Sequence, residues 1–353
     1  MSSTQEPWRG RGASENPPNR FERLRQEPIA AEEEEDAPAP RTQFFRDPSR
    51  SILTRNDSPD IGFTVSLNPY RGCEHGCAYC YARPTHEYLG FSSGLDFETK
   101  ILVKEDAPEL LRKELAAKSW QPQVVSLSGV TDPYQPIERR LRLTRHCLQV
   151  FAEFRNPVAI VTKNKLVTRD VDVLGDLAQH QAAAVFLSIT TLDGGLAGIL
   201  EPRAAQPTGR LAAIETLAAH GVPVGVMVAP IIPGLNDHEI PAILEAAAGA
   251  GATCAGYVLL RLPHANALLF EQWLTRHFLD RKDKILSRIR ALRGGRLNDP
   301  RFGSRMTGEG ELAEVLRDWF ILSCRKAGIP NQRPPLSTAH FRKPGGTQRW
   351  LFE

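Results

Sequence analysis

Three cysteines stand within eight residues in Arg71-Gly-Cys73-Glu-His-Gly-Cys77-Ala-Tyr-Cys80, directly after the short β-type run Phe63-Thr-Val-Ser-Leu67. A loop that turns three thiols toward one point needs a rigid element before it and backbone able to fold tightly. Gly72 and Gly76 supply the second requirement. The other three cysteines, Cys147, Cys254 and Cys324, are scattered singly through helical or apolar stretches, where cysteine most often serves as a small core residue. Six cysteines allow three disulfides on paper. A 353-residue chain with 41% hydrophobic residues can build a core without them. No apolar run approaches the roughly 20 residues that cross a bilayer. The start, Met1-Ser-Ser-Thr-Gln-Glu-Pro-Trp-Arg, has no hydrophobic signal core. The expectation is a soluble, cytoplasmic protein with no membrane partner.

Residues 1–60 read as a disordered N-terminal tail. They are rich in Pro, Arg, Glu and Ser, and they carry the acidic run Glu32-Glu-Glu-Glu-Asp36, a composition that buries too little apolar surface to offset its ordering entropy. From residue 61 short β-branched runs alternate with amphipathic helical stretches. Strands are expected at Phe63–Leu67, Val124–Ser128, Val158–Thr162, Val185–Ile189, Val222–Val228 and Gly256–Arg261, with an additional short run at Lys100–Lys104. Helices are expected at Pro108–Leu115, Leu143–Phe154, Val171–His180, Arg210–His220 and Glu239–Ala250, the fourth of them closed by Gly221. Six strand–helix units in series predict parallel strands joined by right-handed crossovers, an α/β partial (β/α)6 TIM-like barrel over 61–262. Ligands of such sheets sit at the C-terminal strand ends. Residues 263–330 read as a basic helical C-terminal extension, and 331–353 as an irregular tail. The net charge of +3 excludes a protein that works by bulk positive charge. It averages the acidic run with a basic third: between Arg276 and Arg305 ten Lys/Arg oppose Asp280, Asp283 and Asp299.

Three thiolates on one loop can close around a metal centre, and three are one short of the four that a [4Fe-4S] cluster normally takes. The fourth iron is then open to a ligand that is not protein. Three other readings use the same residues, the plainest being buried, unligated cysteines of the core. A structural zinc site could add His75 or His86 to the three cysteines, and Cys77-x-x-Cys80 could be a catalytic dithiol, which leaves Cys73 without a role.

The spacing Cys-x3-Cys-x2-Cys, with Tyr79 before the last cysteine, resembles the signature of the radical S-adenosylmethionine (radical SAM) superfamily. The resemblance implies a cluster on Cys73, Cys77 and Cys80 whose unique iron chelates S-adenosylmethionine. It also implies reductive cleavage of that molecule and hydrogen abstraction from a substrate by the 5′-deoxyadenosyl radical. A closer likeness runs through Asn68-Pro-Tyr-Arg-Gly-Cys73, Ser128-Gly-Val-Thr-Asp132-Pro-Tyr-Gln-Pro, Thr162-Lys163-Asn-Lys, Ser188-Ile-Thr-Thr, Leu200-Glu201-Pro-Arg203 and Ala229-Pro-Ile-Ile-Pro-Gly-Leu-Asn236. These resemble the branch loosely labelled DNA repair photolyase, distant relatives of spore photoproduct lyase. The true lyases use a further cysteine between the cluster and mid-barrel as hydrogen donor. Here no cysteine lies between Cys80 and Cys147. The likeness therefore reaches a branch and not a substrate.

The same resemblance places S-adenosylmethionine across the strand ends. Gly129, Thr131 and Asp132 take the position that receives the methionyl amine. Ser188 and Thr190 are expected at the ribose hydroxyls, Arg203 and Arg210 at the methionyl carboxylate, and Val228-Ala-Pro230 near the adenine. Tyr79 belongs to the same cofactor-binding set. Lys163 is expected to point into the cavity, with Tyr134 and the His86 region on the substrate side. The chemistry implies an electron donor such as a flavodoxin or ferredoxin. A nucleic-acid substrate suits the basic segment; a peptide or small molecule needs only the pocket, and a zinc-binding nucleic-acid adaptor is the non-enzymatic alternative.

Overall fold

The computed structural model of the chain describes residues 8–22 and 40–344. Among the described residues ten strands form two sheets: β1 Gln43–Arg46, β2 Leu53–Arg55, β3 Val65–Leu67, β4 Tyr70–Arg71, β5 Lys100–Val103, β6 Val125–Leu127, β7 Val158–Thr162, β8 Ala183–Ser188, β9 Val224–Ile231 and β10 Cys254–Leu259. The larger sheet has the order β10-β9-β8-β7-β6-β3-β2. Its six strands from β3 to β10 are parallel, and β2 adds antiparallel to β3. Every expected strand is present within a few residues of its expected bounds. Strand β8 is buried at all six positions, as Val, Ile, Leu and Ala runs must be when both sheet faces are covered.

Helices return the chain between strands, among them Ala107–Ala116, Leu143–Phe154, Val171–Gln179, Pro207–Ala219 and Ile240–Gly249. The fourth of these ends as expected at Gly221. That residue has φ +71°, and the amides of Gly221 and Val222 donate to Ala218 O and Leu217 O. Helices Asn266–His277, Lys282–Ala291 and Glu311–Ala327 make up the C-terminal extension. The parallel sheet and its return helices make an α/β partial barrel with a helical C-terminal region.

The smaller sheet, β1-β5-β4, braces the cysteine loop. Strand β4 immediately precedes Cys73 and pairs with β5, and β5 pairs in parallel with β1. Here the expectation of a disordered tail over 1–60 fails for the described part of that stretch, residues 8–22 and 40–60. Strands β1 and β2 both lie inside that stretch, and Ile52 is buried. The segment 11–19 lies over the cysteine loop. Gly12 N and Ala13 N donate to the Glu98 carboxylate at 3.1 and 2.9 Å, and Asn19 bonds Glu87 O and Phe91 O. A Cβ on Gly12 would stand 1.8 Å from Gly76 O, so this crossing admits glycine alone. Long-range contacts provide the ordering that composition could not. The acidic run 32–36 lies outside the described residues. The C-terminal stretch is irregular but docked through 344, with Arg342 N donating to Phe154 O at 2.9 Å and Phe341 against Phe154.

Candidate functional site

All six parallel strands end on the same side, and the residues that follow each of them meet there. The cysteine loop follows β3 and β4. Cys73 and Cys77 are buried and Cys80 partly so, and Cys73 lies close enough to the other two thiols to feel their charge. The loop is held from every side. Cys73 N donates to Phe97 O at 2.9 Å and Ala78 N to Leu200 O at 3.0 Å. Asn266, fully buried, donates to Cys80 O at 2.7 Å, and Arg83, also fully buried, donates to Cys77 O at 2.9 Å. Arg83 is itself ion-paired with Glu98, whose carboxylate also takes the amides of Gly12 and Ala13.

Burial raises all three thiols, Cys73 well above its ordinary value, with Asp132 and the neighbouring thiols adding to the effect at Cys73 and Glu201 at Cys77. Three buried thiols held this way suit a cationic inorganic group, which favours the thiolate form that burial opposes. A single-ion zinc site fits less well. Among the described residues no three His, Cys, Asp or Glu side chains converge closely enough to hold one ion. Around a cubane each thiolate meets a different iron, so the sulfurs stand further apart.

Both candidate histidines point elsewhere. The His75 ring lies between Asp132 Oδ2 at 3.4 Å and Asn164 Nδ2 at 3.2 Å. Because Asn164 Oδ1 accepts from Leu166 N, its amide presents Nδ2 to His75 Nε2, which leaves Nδ1–H to face Asp132. His86 Nε2 donates to Lys100 O at 2.9 Å, with its ring packed on Phe91 and Phe97. It lies in the core and not on a substrate side. Tyr134 is likewise fully buried, its hydroxyl donating to Asp170 at 3.1 Å.

Beneath Cys77 sits a buried network centred on Glu201, to which the sequence assigns no role. Glu201 is ion-paired with Arg210 and with Lys163 Nζ at 3.3 Å, and it accepts from the Tyr79 hydroxyl and from Thr190 Oγ1 at 2.6 Å. Lys163 Nζ also donates to Ala229 O at 3.0 Å and lies over the Tyr79 ring. Burial alone would raise the Glu201 carboxyl, but Arg210 and Lys163 hold it well below the usual carboxylate range. Burial and the adjacent Glu201 push the Tyr79 phenol up, so it stays a neutral donor.

The expected residues fall into two groups. Tyr79, Ser188, Thr190 and Arg210 come together with Lys163 around Glu201. Arg210 is turned inward, donating to Ala205 O, Ser188 O and Glu201, so it braces the network and leaves no free fork for a ligand carboxylate. Arg203 stands apart, paired with Glu74 at 3.2 Å and bonded to Thr42 Oγ1, so it fastens the N-terminal strand region and faces away from this network. After β6, Thr131 donates to Gly72 O at 2.6 Å. Asp132 accepts from Thr162 Oγ1 at 2.7 Å and Lys163 N at 2.8 Å. Burial would raise Asp132, but His75 and these bonds hold it below its ordinary value. Both side chains thus tie the β3, β6 and β7 ends together. Gly129 and Ser128 have φ of +157° and +128°, and the conformation at Ser128 is strained for a residue with a side chain. The Gly129 carbonyl accepts from the exposed Tyr81 hydroxyl at 2.5 Å. Cys147, Cys254 and Cys324 are buried in apolar clusters, as expected of core residues.

Comparison with known proteins adds four findings. A family model described as the radical SAM superfamily matches residues 67–247. An uncharacterised protein of Mycobacterium tuberculosis is 38% identical over 234 residues, 66% of this chain and 68% of its own length. A Pseudomonas phage M6 protein described as a radical SAM Nα-GlyT isomerase is 26% identical over 183 residues, 51% of this chain and 36% of that protein. Among solved structures, spore photoproduct lyase complexed with dinucleoside spore photoproduct superposes with a TM-score of 0.61 at 17% identity, covering 81% of each chain. No helix among the described residues is long and apolar enough to cross a membrane.

Proposed function

Because the chain belongs to the radical SAM superfamily, whose members use S-adenosylmethionine and an iron–sulfur cluster, we propose that it binds one [4Fe-4S] cluster on Cys73, Cys77 and Cys80 and acts by hydrogen abstraction on a nucleic-acid substrate. The observation that carries the reading is the buried three-cysteine loop at the end of β3, held at the Cys77 and Cys80 carbonyls by two fully buried side chains, Arg83 and Asn266. When bound, the cluster supplies the electron that cleaves S-adenosylmethionine reductively.

The chain's own residues do the rest. Lys163 presents the one ammonium aimed into the Glu201 network, and with Tyr79, Ser188 and Thr190 it supplies polar groups for the cofactor's methionyl and ribose ends. Gly129, beside the strained Ser128, offers backbone with space for close approach: a Cβ there would meet nothing nearer than 3.7 Å. Arg210 and Glu201 hold these groups in place, and the segment 11–19 screens the loop from water. An external reductant of flavodoxin or ferredoxin type completes the electron path.

Two observations support a nucleic-acid substrate. The basic helical segment lies against the strand ends that bear the site: Arg281 donates to Gly234 O after β9, and Arg293 donates to Leu260 O at 2.7 Å after β10. A fold neighbour holds a dinucleoside ligand. The test is anaerobic incubation of reconstituted protein with reductant, S-adenosylmethionine and either oligonucleotides or peptides. Formation of 5′-deoxyadenosine that oligonucleotides stimulate supports the reading. Stimulation by peptides alone refutes the substrate class, and no 5′-deoxyadenosine under any condition refutes the chemistry.

A further inference from the structure

Arg261, just beyond the end of β10, is the basic residue of the barrel mouth whose placement the chemistry above leaves unexplained. Its Nε is buried with no partner, its Nη1 meets only the Met306 sulfur at 3.4 Å, and it makes no ion pair among the described residues. Its guanidinium lies 5.5 Å from the centre of the Tyr81 ring. Tyr81 follows Cys80 directly, is 49% exposed, and reaches across the mouth to the Gly129 carbonyl.

The same arrangement recurs beside it. Arg305 lies 4.4 Å from the centre of the Phe302 ring, which is 58% exposed. Arg305 is fixed by Asp60 and Ser58, and Asp60, which makes no ion pair with Arg261, offsets the charge of Arg261 only in part. Arg261 and Arg305 are close enough to repel, and burial together with that repulsion lowers the affinity of Arg261 for its proton. A like-charged, partly desolvated guanidinium with an orphaned N–H is a costly arrangement for a free protein. It is relieved by an anion that takes the fork. Exposed aromatic rings, each with an arginine over its face, are also the usual means of stacking unpaired bases.

We propose that Tyr81, Arg261, Arg305 and Phe302 form a strip that holds an unpaired nucleic-acid segment across the barrel mouth, its bases on the two exposed rings and a backbone phosphate on Arg261. The inference rests on the nucleic-acid reading above and adds to it the strand state and the residues that recognise it. The strip sets the target nucleotide beside the cysteine loop, because Tyr81 and Cys80 are adjacent in the chain.

The experiment is anaerobic fluorescence anisotropy on the full reconstituted chain. A labelled ten-nucleotide single strand, the same sequence as duplex, and an acidic peptide of equal net charge serve as probes. Wild type is expected to bind the single strand at least tenfold more tightly than the peptide or the duplex. Arg261→Met and Phe302→Ala should each weaken single-strand binding about tenfold or more. Arg261→Met should also reduce the salt slope by about 0.7. Unchanged iron content and melting temperature establish that each variant is folded, and Lys326→Met, on the last helix, should bind as wild type does. Tight wild-type binding that neither variant disturbs overturns the strip while leaving the nucleic-acid reading intact. Equal binding of peptide and single strand, or preference for duplex, overturns the assignment of the occupant. No oligonucleotide binding at low salt removes both, and 5′-deoxyadenosine production then still reports separately on the radical chemistry.

Discussion

Replacing Glu201 by glutamine keeps the side-chain shape and removes one charge from a network in which almost nothing is exposed. The Glu201 side chain is 0% exposed and that of Arg210 1%, while Lys163 at 15% is the only member with appreciable access to water. An exposed ion pair would lose at most about 1 kcal/mol. Here the change leaves Arg210 buried without its counter-charge, and breaking one side of a buried pair costs about 3–5 kcal/mol. Arg210→Met alone should cost a similar amount, since it strands the Glu201 carboxylate beside Tyr79 and Thr190. The double variant Glu201→Gln/Arg210→Met removes both charges. It should be less destabilised than the sum of the singles by about 1–3 kcal/mol. Urea unfolding followed by circular dichroism on the four proteins measures the cycle. A loss below about 1 kcal/mol in Glu201→Gln, or strict additivity, would refute the claim that the two charges depend on each other.

Three further outcomes are expected. His86 is buried and its pKa is pushed down to about 4 by burial. The folded state therefore favours the neutral ring, so stability is full above about pH 6.5 and falls by up to about 3 kcal/mol as the pH drops toward 4; in His86→Gln the slope in that window should flatten. Glu98→Gln removes the charge that Arg83 and the amides of Gly12 and Ala13 share. It should speed the bleaching of the visible cluster band in air several-fold, and a wild-type bleaching rate would show that the segment 11–19 does not shield the loop. Cys147 is fully buried against the core, so Cys147→Ala should cost about 1 kcal/mol and leave 5′-deoxyadenosine formation and the product unchanged; a folded variant that still forms 5′-deoxyadenosine but diverts the product would make it a hydrogen donor.

The six barrel strands were legible because each is a run of β-branched and aliphatic residues long enough to stand out between amphipathic helices. One helix, Leu143–Phe154, has the bounds its periodicity predicts. The cysteine loop was legible for a different reason, since three thiols at fixed spacing carry chemistry that no core needs. The first 60 residues misled because composition describes what a segment can bury by itself. It is silent on the partners that Gly12, Ala13 and Asn19 find some 70–90 residues away. Charged residues near the site were legible as charges and not as pairs. Arg203 could equally have faced a ligand or Glu74, and only the fold brings Glu74 to it. Asn266 had no signal of its own, because it acts on a carbonyl 186 residues away, while Arg83 and Glu201 were visible as charges but not as buried members of a network.

The central claim is that Cys73, Cys77 and Cys80 together hold an iron–sulfur cluster. Metal analysis of anaerobically reconstituted protein tests it most directly, on wild type and on the Cys73→Ala, Cys77→Ala and Cys80→Ala variants. The expected result is about four irons per chain with no stoichiometric zinc in wild type, and loss of most of that iron in each variant. Stoichiometric zinc in wild type, or full iron occupancy in Cys77→Ala, would contradict it.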